Sequence, residues 1–473
     1  MTRSLPSPRL ILLSAIATLI IGLATFTVTT VSTSGSLVWS DGLPYFLYAR
    51  SAVLDLDTDI TNEYDELDAQ FPADAKLMVP LRSWTMRDPR TGRIVTPWPV
   101  GAGLVMVPFY ASGYAVELAA AAITGQRPDS YGIIPQYFFC FGALAYGLLG
   151  FWAIFLCCRE VADDTPAYLA SLGIIFGGPA AFYIFFNPSM AHASSLGLIS
   201  LLILLWLRQW RDGTSHSGIA FLGLLLGTAF TVRYQNALFG VLPLALMFRE
   251  TSRRPFSRLL LIGSSGIAGL LIPLSIQFLH AYFWGASGDP VISQQSGVVV
   301  GQYPFDLKSP YFFHVLFSSR HGAFYWAPVL AMGMLGLVWA ARRQSWAWPL
   351  LIALLVNVYL IGALGMAYSD LQPGTGQESD WNTHWRGAPS FGMRYLTECA
   401  ALFAIGLAVL IDSSTRWVGK LFWPLVLSLL AVWNGLLILA YGLKTISRSY
   451  SLTYHDMLIG VSEALKQLVQ RIF

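Results

Sequence analysis

Apolar runs long enough to cross a lipid bilayer recur along the whole chain and limit what it can fold into. A membrane-spanning helix needs about 20 mostly apolar residues. Twelve runs reach or approach that length, near residues 9–31, 100–123, 133–158, 165–186, 191–209, 217–232, 235–249, 259–284, 323–341, 346–367, 395–411 and 418–441. This pattern predicts an all-α polytopic membrane protein.

The composition excludes a soluble protein and a nucleic-acid binder. Hydrophobic residues make up 55% of the chain and charged residues only 12%, whereas a soluble domain carries about 25% charge. The 29 basic and 26 acidic residues leave a net charge of +3, which lacks the basic excess of a nucleic-acid-binding surface. We therefore expect membrane lipids, and no nucleic acid, among the partners.

Lysine and arginine in the short loops predict the orientation, because they are enriched on the cytoplasmic side of membrane proteins. Eleven of them fall in five alternate loops: Arg159, Arg208, Arg211, Arg249, Arg253, Arg254, Arg258, Arg342, Arg343, Arg416 and Lys420. The short loops on the other side carry Arg127 and Arg233. The side with eleven charges is predicted to be cytoplasmic.

The N-terminus is also predicted to be cytoplasmic, since Arg3 and Arg9 precede the first apolar run. That run of about 22 residues exceeds the 7–15 apolar residues of a cleaved signal peptide. We interpret it as an uncleaved anchor in the cell's inner (plasma) membrane.

These two orientations conflict if every apolar run crosses the membrane. A non-crossing segment at 97–123, which opens with Pro97, Trp98 and Pro99, removes the conflict. Eleven crossings then remain, with external loops at 32–132, 285–322 and 368–394 and an external amphipathic tail at 452–472. The alternative is a full crossing that violates the charge rule.

The first external loop concentrates charge behind the first span. Ten carboxylates and six basic residues lie between Asp41 and Arg93. Most of the carboxylates are interpreted as solvated. Asp41 differs, because it lies at the predicted membrane boundary just before an aromatic stretch with Tyr45, where a general base for a hydroxyl is expected.

Metal binding is an open alternative in the same loop. Asp55, Asp57 and Asp59 alternate with other residues, a pattern that a divalent cation can use. The stretch lacks the glycine turn and distal glutamate of an EF-hand loop, so we assign no metal ligand, although a divalent cation is possible. The four cysteines lie in apolar runs without metal-site spacing and are interpreted as small buried hydrophobes.

Arginine and histidine recur at the predicted external face. Arg320 is alternatively an arginine that reaches the lipid headgroups, and Arg233 is alternatively the end of a helix. An interfacial aromatic belt would explain the tryptophans near His384 and Arg386. Together the arginines and histidines suit the binding of phosphate oxygens. The residues are His192, Arg233, Arg320, His321, His384, Arg386 and Arg394.

The cytoplasmic loops are short and basic, and they contain neither a P-loop nor a glycine-rich fingerprint after a strand. An enzyme with this arrangement is expected to take its activated donor from the membrane.

Four stretches resemble the GT-C class of integral-membrane glycosyltransferases, which includes the protein O-mannosyltransferases and the lipid A aminoarabinose transferases. They read SDGLPYFLYARSAVLDLDTDITNEY, TPWPVGAGLVMVPFYASGY, SSRHGAFYWAPVLAMGMLGL and WRGAPSFGMRYL. The order of spans and loops is similar over nearly the whole chain. The resemblance implies a GT-C-like bundle with external juxtamembrane helices, in which 1–411 is the catalytic module and 412–473 holds the last span and the tail.

The resemblance also implies transfer of a sugar from a polyprenyl-phosphate carrier to a lipid, glycan or protein acceptor, with inversion. Asp41 matches the aspartate that acts as general base in the class. The proline motif at 97–99 carries a phosphate-contacting lysine in some relatives but lacks it here, so Arg320 or Arg394 is expected to take over the phosphate contact. The donor-phosphate candidates are Arg233, Arg320, His321 and Arg394, and the substrate-binding candidates are Tyr45, Asp57, Glu63, His192, His384 and Arg386.

Three other functions remain as alternatives. A lipid or solute transporter or flippase would place its polar residues near the bilayer midplane of repeated halves, whereas here they crowd one face. A polysaccharide polymerase or ligase would use a lipid-diphosphate donor. A non-catalytic scaffold would leave Asp41 and the arginines without a role.

Overall fold

The protein is a multi-pass helical membrane protein. A computed structural model describes residues 8–32, 35–71, 82, 85–89, 91–284, 307, 311–363, 390–447 and 451–472. Its first part contains α1 (Pro8–Ser32), α2 (Gly42–Leu54), α3 (Thr61–Gln70), β1 (Met86–Arg87), β2 (Ile94–Val95), α4 (Gly101–Leu104), α5 (Val107–Thr124) and α6 (Ile133–Arg159). The antiparallel pairing of β1 with β2 is a small hairpin within the predicted first external loop.

The remaining elements are almost all α-helical. They are α7 (Asp164–Gly177), a π-helix (Phe182–Phe186), α8 (His192–Asp212), α9 (His216–Val232), a 3-10 helix (Tyr234–Gly240), α10 (Val241–Thr251), α11 (Phe256–Trp284), α12 (Phe312–Phe317), α13 (Ala323–Trp326), α14 (Pro328–Ala341), α15 (Ala347–Ala363), a second 3-10 helix (Arg394–Cys399), α16 (Ala400–Val418), α17 (Phe422–Gly442) and α18 (Tyr454–Ile472). The all-α prediction is confirmed.

Several helices have the length and apolar character of membrane spans. Within the described residues, six qualify fully: Leu12–Thr30, Ile133–Arg159, His192–Asp212, Phe256–Phe283, Arg394–Val418 and Phe422–Gly442. Three more are apolar but shorter: His216–Val232, Pro328–Ala341 and Ala347–Ala363. The expected count of eleven crossings stays a prediction.

Three predicted spans are interrupted by non-α backbone. The run at 165–186 breaks after α7, where Gly178 is extended and Pro179 lacks a backbone N–H. The runs at 235–249 and 395–411 each begin as a 3-10 helix. Irregular backbone at membrane depth is tolerated where it is buried in protein or lines a cavity, so these breaks indicate where a site can form.

The segment predicted not to cross lies beside only the first half of α6. Tyr146, in the middle of α6, donates its hydroxyl to the Val105 carbonyl at 3.2 Å, and its ring lies 6.3 Å from that of Phe109. Gly113, farther along α5, packs on Phe138 near the start of α6. A full crossing would have placed the start of α5 beside the end of α6, so this packing favours the non-crossing interpretation.

The tail forms helix α18, in agreement with the predicted amphipathic helix. One of its faces packs on the protein through Met457, Val461 and Ala464. The ring of Tyr454 stacks on Tyr325 with the ring centroids 4.4 Å apart. A neighbouring face exposes apolar side chains, among them Leu458, which suits a helix that lies on a membrane surface.

Candidate active site

Asp41 and Arg394 meet although 353 residues separate them in the sequence. Asp41 precedes α2, and Arg394 opens the second 3-10 helix. Arg394 Nη1 lies 3.5 Å from Asp41 Oδ2, with the two side chains 16% and 29% exposed. This separation is longer than the 2.7–2.9 Å of a tight charge-assisted hydrogen bond.

The backbone around Asp41 is specified by close packing. Ser40 adopts a left-handed conformation with φ of 57°, which is uncommon for a residue other than glycine. A Cβ at Gly42 would lie 2.2 Å from Ser189 Oγ. The glycine at position 42 is therefore explained by contact with the turn that precedes α8.

Tyr45 lies one turn after Asp41 in α2 and is 5% exposed. Burial raises the pKa of its phenol above the ordinary value, and the nearby Asp41 adds to this, whereas Arg233 and Arg394 act in the opposite direction. Tyr45 therefore stays neutral at physiological pH, as a hydrogen-bonding group beside the carboxylate and the arginines.

Arg233 joins this group from the end of α9. Its guanidinium carbon lies 5.9 Å from the centroid of the Tyr395 ring, and that of Arg394 lies 4.9 Å from the same centroid. Arg394 Nη2 also donates to the Tyr395 hydroxyl at 3.0 Å. We call the set Asp41, Tyr45, Arg233, Arg394 and Tyr395 the Asp41 site.

Arg233 is held from behind by buried polar side chains. Its Nη1 lies 3.2 Å from His192 Nε2, its Nη2 donates to Gln235 Oε1 at 2.9 Å, and its Nε lies 3.0 Å from Glu398 Oε1. His192 and Glu398 are fully buried. Sequence reasoning missed Gln235 and Glu398, although a carboxylate inside the apolar run 395–411 is a signal of a functional site.

Arg320 and His321 lie in the turn before α13. His321 is 1% exposed, and its ring centroid lies 5.6 Å from that of Trp326. Trp326 packs edge-on against Phe391 at 5.7 Å, three residues before Arg394. The turn is thus linked to the Asp41 site through two aromatic rings.

Glu63 belongs to a second group, which we call the Arg50 cluster: Arg50, Asp55, Glu63, Glu66 and Tyr131. Arg50 Nη1 donates to Glu63 Oε1 at 2.9 Å, and its guanidinium lies 4.5 Å from the centroid of the Tyr131 ring. Burial raises the pKa of Glu63 to about 8, although its backbone N–H and Arg50 act in the opposite direction. The hydrogen bond from Arg50 thus places Glu63 in the Arg50 cluster of the first loop.

The three alternating aspartates have separate partners. Asp55 Oδ2 lies 3.4 Å from Arg50, Asp57 Oδ1 accepts from Ser51 Oγ at 2.6 Å, and Asp59 Oδ2 lies 3.3 Å from Arg93 Nε. In the part of the chain that the structure describes, no group of three or more His, Cys, Asp or Glu is arranged to hold a metal ion.

Two of the predicted substrate-binding residues, His384 and Arg386, lie outside the described residues. The four cysteines, Cys140, Cys157, Cys158 and Cys399, are buried and unpaired, as predicted.

Solved structures show the fold. ArnT from Cupriavidus metallidurans bound to undecaprenyl phosphate matches 97% of this chain and 77% of its own, with 12% identity and a TM-score of 0.53. The chain shares the fold of ArnT. This confirms the GT-C-type fold that the sequence resemblance implies.

Two further matches to the GT-C-type fold are weaker. The same ArnT in the apo state gives 13% identity, 95% and 76% coverage and a TM-score of 0.44. Archaeal oligosaccharyltransferase AglB from Archaeoglobus fulgidus, in complex with an inhibitory peptide and a dolichol-phosphate, is 11% identical. The match covers 94% of this chain and 56% of AglB, with a TM-score of 0.41. No protein-family model and no curated protein sequence matches the chain.

Proposed function

We propose that the chain is a membrane glycosyltransferase that moves a sugar from a polyprenyl-phosphate donor to an acceptor hydroxyl at the external face, with inversion. The observation that carries the proposal is the meeting of Asp41 with Arg394, beside a second arginine and a buried tyrosine. A carboxylate next to two guanidinium groups supplies a base and a phosphate site in one place.

Arg394 and Arg233 would bind the donor phosphate. Each guanidinium presents several N–H donors in a fixed plane that matches phosphate oxygens. Because Asp41 lies 3.5 Å from Arg394, an incoming phosphate can take its place. Asp41 is then free to accept a hydrogen bond from the acceptor hydroxyl.

The proposed reaction breaks one bond and forms one. The acceptor oxygen attacks the anomeric carbon while Asp41 takes its proton. The bond between that carbon and the phosphate oxygen breaks, and its electron pair leaves on the lipid phosphate. The leaving group needs positive charge, which the two arginines supply in place of a proton.

An apolar groove offers a place for the polyprenyl chain. It has a volume of about 620 Å³ and lies between α12, α14 and α15. Phe313, Phe317 and Leu335 are among its lining residues. Helix α15, which lines the groove, also contacts both 3-10 helices.

The decisive test is transfer of a radiolabelled sugar from a polyprenyl-phosphate donor by an Asp41→Asn variant in proteoliposomes. Loss of a general base costs about 10²–10⁴-fold in rate, so we expect at least a hundredfold drop. Asp65→Asn is the control, since Asp65 is an exposed carboxylate of the same loop that pairs with Arg87. Wild-type activity in a correctly inserted Asp41→Asn protein would refute the assignment.

A lipid-diphosphate donor, as a polymerase or ligase would use, is distinguished in the same assay. The proposal expects turnover of the monophosphate-linked sugar. Turnover of the diphosphate-linked sugar alone would favour the alternative enzyme, and movement of labelled lipid without a new glycosidic bond would favour a transporter.

A further inference from the structure

A largely buried charge network surrounds Arg233, whose side chain is 14% exposed, and includes the fully buried His192 and Glu398. It consists of His192, Arg233, Gln235 and Glu398, and we call it the Glu398 network. Its members come from the start of α8, the end of α9, the first 3-10 helix and the second 3-10 helix. Three of these four positions adjoin the helix breaks described above, so the network ties the irregular segments together.

The hydrogen bonds fix the state of His192. An arginine can only donate, so His192 Nε2, 3.2 Å from Arg233 Nη1, must be the acceptor. The ring is then neutral with its proton on Nδ1, which donates to Glu398 Oε1 at 3.1 Å. The network therefore contains one positive charge and one negative charge, on Arg233 and Glu398.

Glu398 organises the partners of Arg233. Its Oε1 receives His192 Nδ1–H and lies 3.0 Å from Arg233 Nε. Its Oε2 receives Gln235 Nε2–H at 3.1 Å, and Gln235 in turn accepts from Arg233 Nη2. The Glu398 carboxylate thus contacts the Arg233 guanidinium directly. It also hydrogen-bonds to His192 and Gln235, which contact the two terminal nitrogens of that guanidinium.

The backbone alone does not fix where the Arg233 side chain lies. Arg233 follows the last turn of α9 in an extended conformation, with φ of −152° and ψ of 121°, so the helix no longer directs it. A buried carboxylate at membrane depth is costly unless it is paired. Glu398 is paired with Arg233 at 3.0 Å, so its burial ties the carboxylate to that guanidinium.

We propose that Glu398 is a positioning residue that sets the place of Arg233 relative to Arg394, a role that rests on the proposed function. Arg394 and Glu398 belong to the same six-residue 3-10 helix. This segment therefore presents one arginine itself and anchors the other, with both guanidinium groups on the Tyr395 ring.

The test compares Glu398→Gln with Glu250→Gln. Glu250 is a matched control, because it is 3% exposed and pairs with Arg254 at 2.6 Å at the far end of α10. In Glu398→Gln we expect the KM for a polyprenyl-phosphate sugar to rise about tenfold or more, with the KM for the acceptor changed by less than about twofold. Glu250→Gln should leave both KM values unchanged.

A cryo-EM structure of Glu398→Gln supplies a readout that does not depend on turnover. The proposal expects the Arg233 guanidinium to leave its place beside Tyr395. If Arg233 keeps that place, or if the two KM values change equally, Glu398 does not position it and the proposal is overturned. If the wild-type protein transfers no sugar, the proposed function fails, and the position of Arg233 still decides the role of Glu398.

A second variant covers the case in which Glu398→Gln does not fold. Gln235→Met keeps a similar volume and both charges but removes the hydrogen bonds to Arg233 and Glu398. We expect the same selective rise in donor KM, smaller than for Glu398→Gln. An unchanged donor KM in Gln235→Met would count against the network's positioning role.

Discussion

At the scale of single residues, Arg394 makes two kinds of contact that only a guanidinium group can combine. It lies beside Asp41 and it also stacks on Tyr395 while donating to that hydroxyl. Lysine keeps the charge but loses the planar fork and the stacking. Charge alone would therefore not reproduce the site.

This gives a first prediction for Arg394→Lys. We expect the KM for the polyprenyl-phosphate donor to rise at least about tenfold, measured in proteoliposomes. Arg343→Lys is the control, because Arg343 stacks on Trp339 at 4.0 Å outside the site. Equal donor KM values in Arg394→Lys and the wild type would contradict the phosphate role.

A second prediction concerns Glu63 and pH. Because burial raises the pKa of Glu63 to about 8, the folded protein holds this proton more tightly than the unfolded chain does. The resulting stabilisation is complete below the unfolded pKa and is lost as pH rises through about 8. The thermal stability of the wild type should fall between about pH 5 and pH 8, and Glu63→Gln should flatten that dependence.

The control for Glu63 is Glu66→Gln, since Glu66 also pairs with Arg50 but is 49% exposed. Its stability curve should keep the wild-type slope in the same thermal-shift measurement. Parallel curves for the wild type and Glu63→Gln would show that Glu63 does not hold a proton in the folded state.

The residues of the Asp41 site were partly predictable from the sequence. Asp41 and Arg394 were found because charge at the edge of an apolar run is conspicuous. Glu398 was missed because it lies inside a predicted span, and its partner His192 is 206 residues away. Pattern along the chain shows where charges are placed, but not which of them meet across helices.

At the scale of elements, α9 and α11 depend on small residues for their close approach. A Cβ at Gly223 would lie 2.0 Å from the Gly266 carbonyl oxygen, and one at Gly269 would lie 1.9 Å from that of Ala220. Helices in membranes associate through such small-residue contacts, since lipid provides no hydrophobic drive between them.

The third prediction is that Gly223→Val separates these helices. The clash is with backbone atoms, which cannot move away as a flexible side chain can. We therefore expect the free energy of unfolding to fall by about 3 kcal/mol or more and the thermal midpoint in detergent to decrease. Gly435→Val in α17 is the control, because nothing lies within 4 Å of its added Cβ. A Gly223→Val protein as stable as this control would contradict the packing.

The boundaries of the helices could be predicted only in part from the sequence. The apolar runs located the helices, but they did not reveal the 3-10 helices at Tyr234–Gly240 and Arg394–Cys399. The first segment carries Gln235 and Asn236 and the second Arg394 and Glu398, but polar residues alone do not predict a 3-10 backbone. The backbone of both segments is decided by tertiary contacts, such as the hydrogen bond from Gln235 Nε2 to the Tyr395 carbonyl.

At the scale of the whole molecule, the fold follows from the sequence more directly than the site does. Length, apolar runs and sparse charge predicted a polytopic helical protein, and the GT-C-type fold is confirmed. The half-length contact between α5 and α6 supports the prediction that 97–123 does not cross.

The fourth prediction tests that topology with single cysteines, using a membrane-impermeant thiol reagent on intact cells. The native cysteines are buried. If 97–123 does not cross, Thr91→Cys and Thr124→Cys should both be labelled from outside, whereas Ser252→Cys should be labelled only after permeabilisation. Thr91→Cys and Thr124→Cys on opposite sides would establish a full crossing.

The central claim is that Asp41, Arg394 and Arg233 form the site of a polyprenyl-phosphate-dependent transferase. A cryo-EM structure of the full chain in lipid nanodiscs with a polyprenyl phosphate tests it most directly. We expect phosphate oxygens within hydrogen-bonding distance of Arg394 and Arg233, at about 3 Å, with Asp41 released from Arg394. A phosphate bound away from both arginines, with Asp41 still on Arg394, would contradict it.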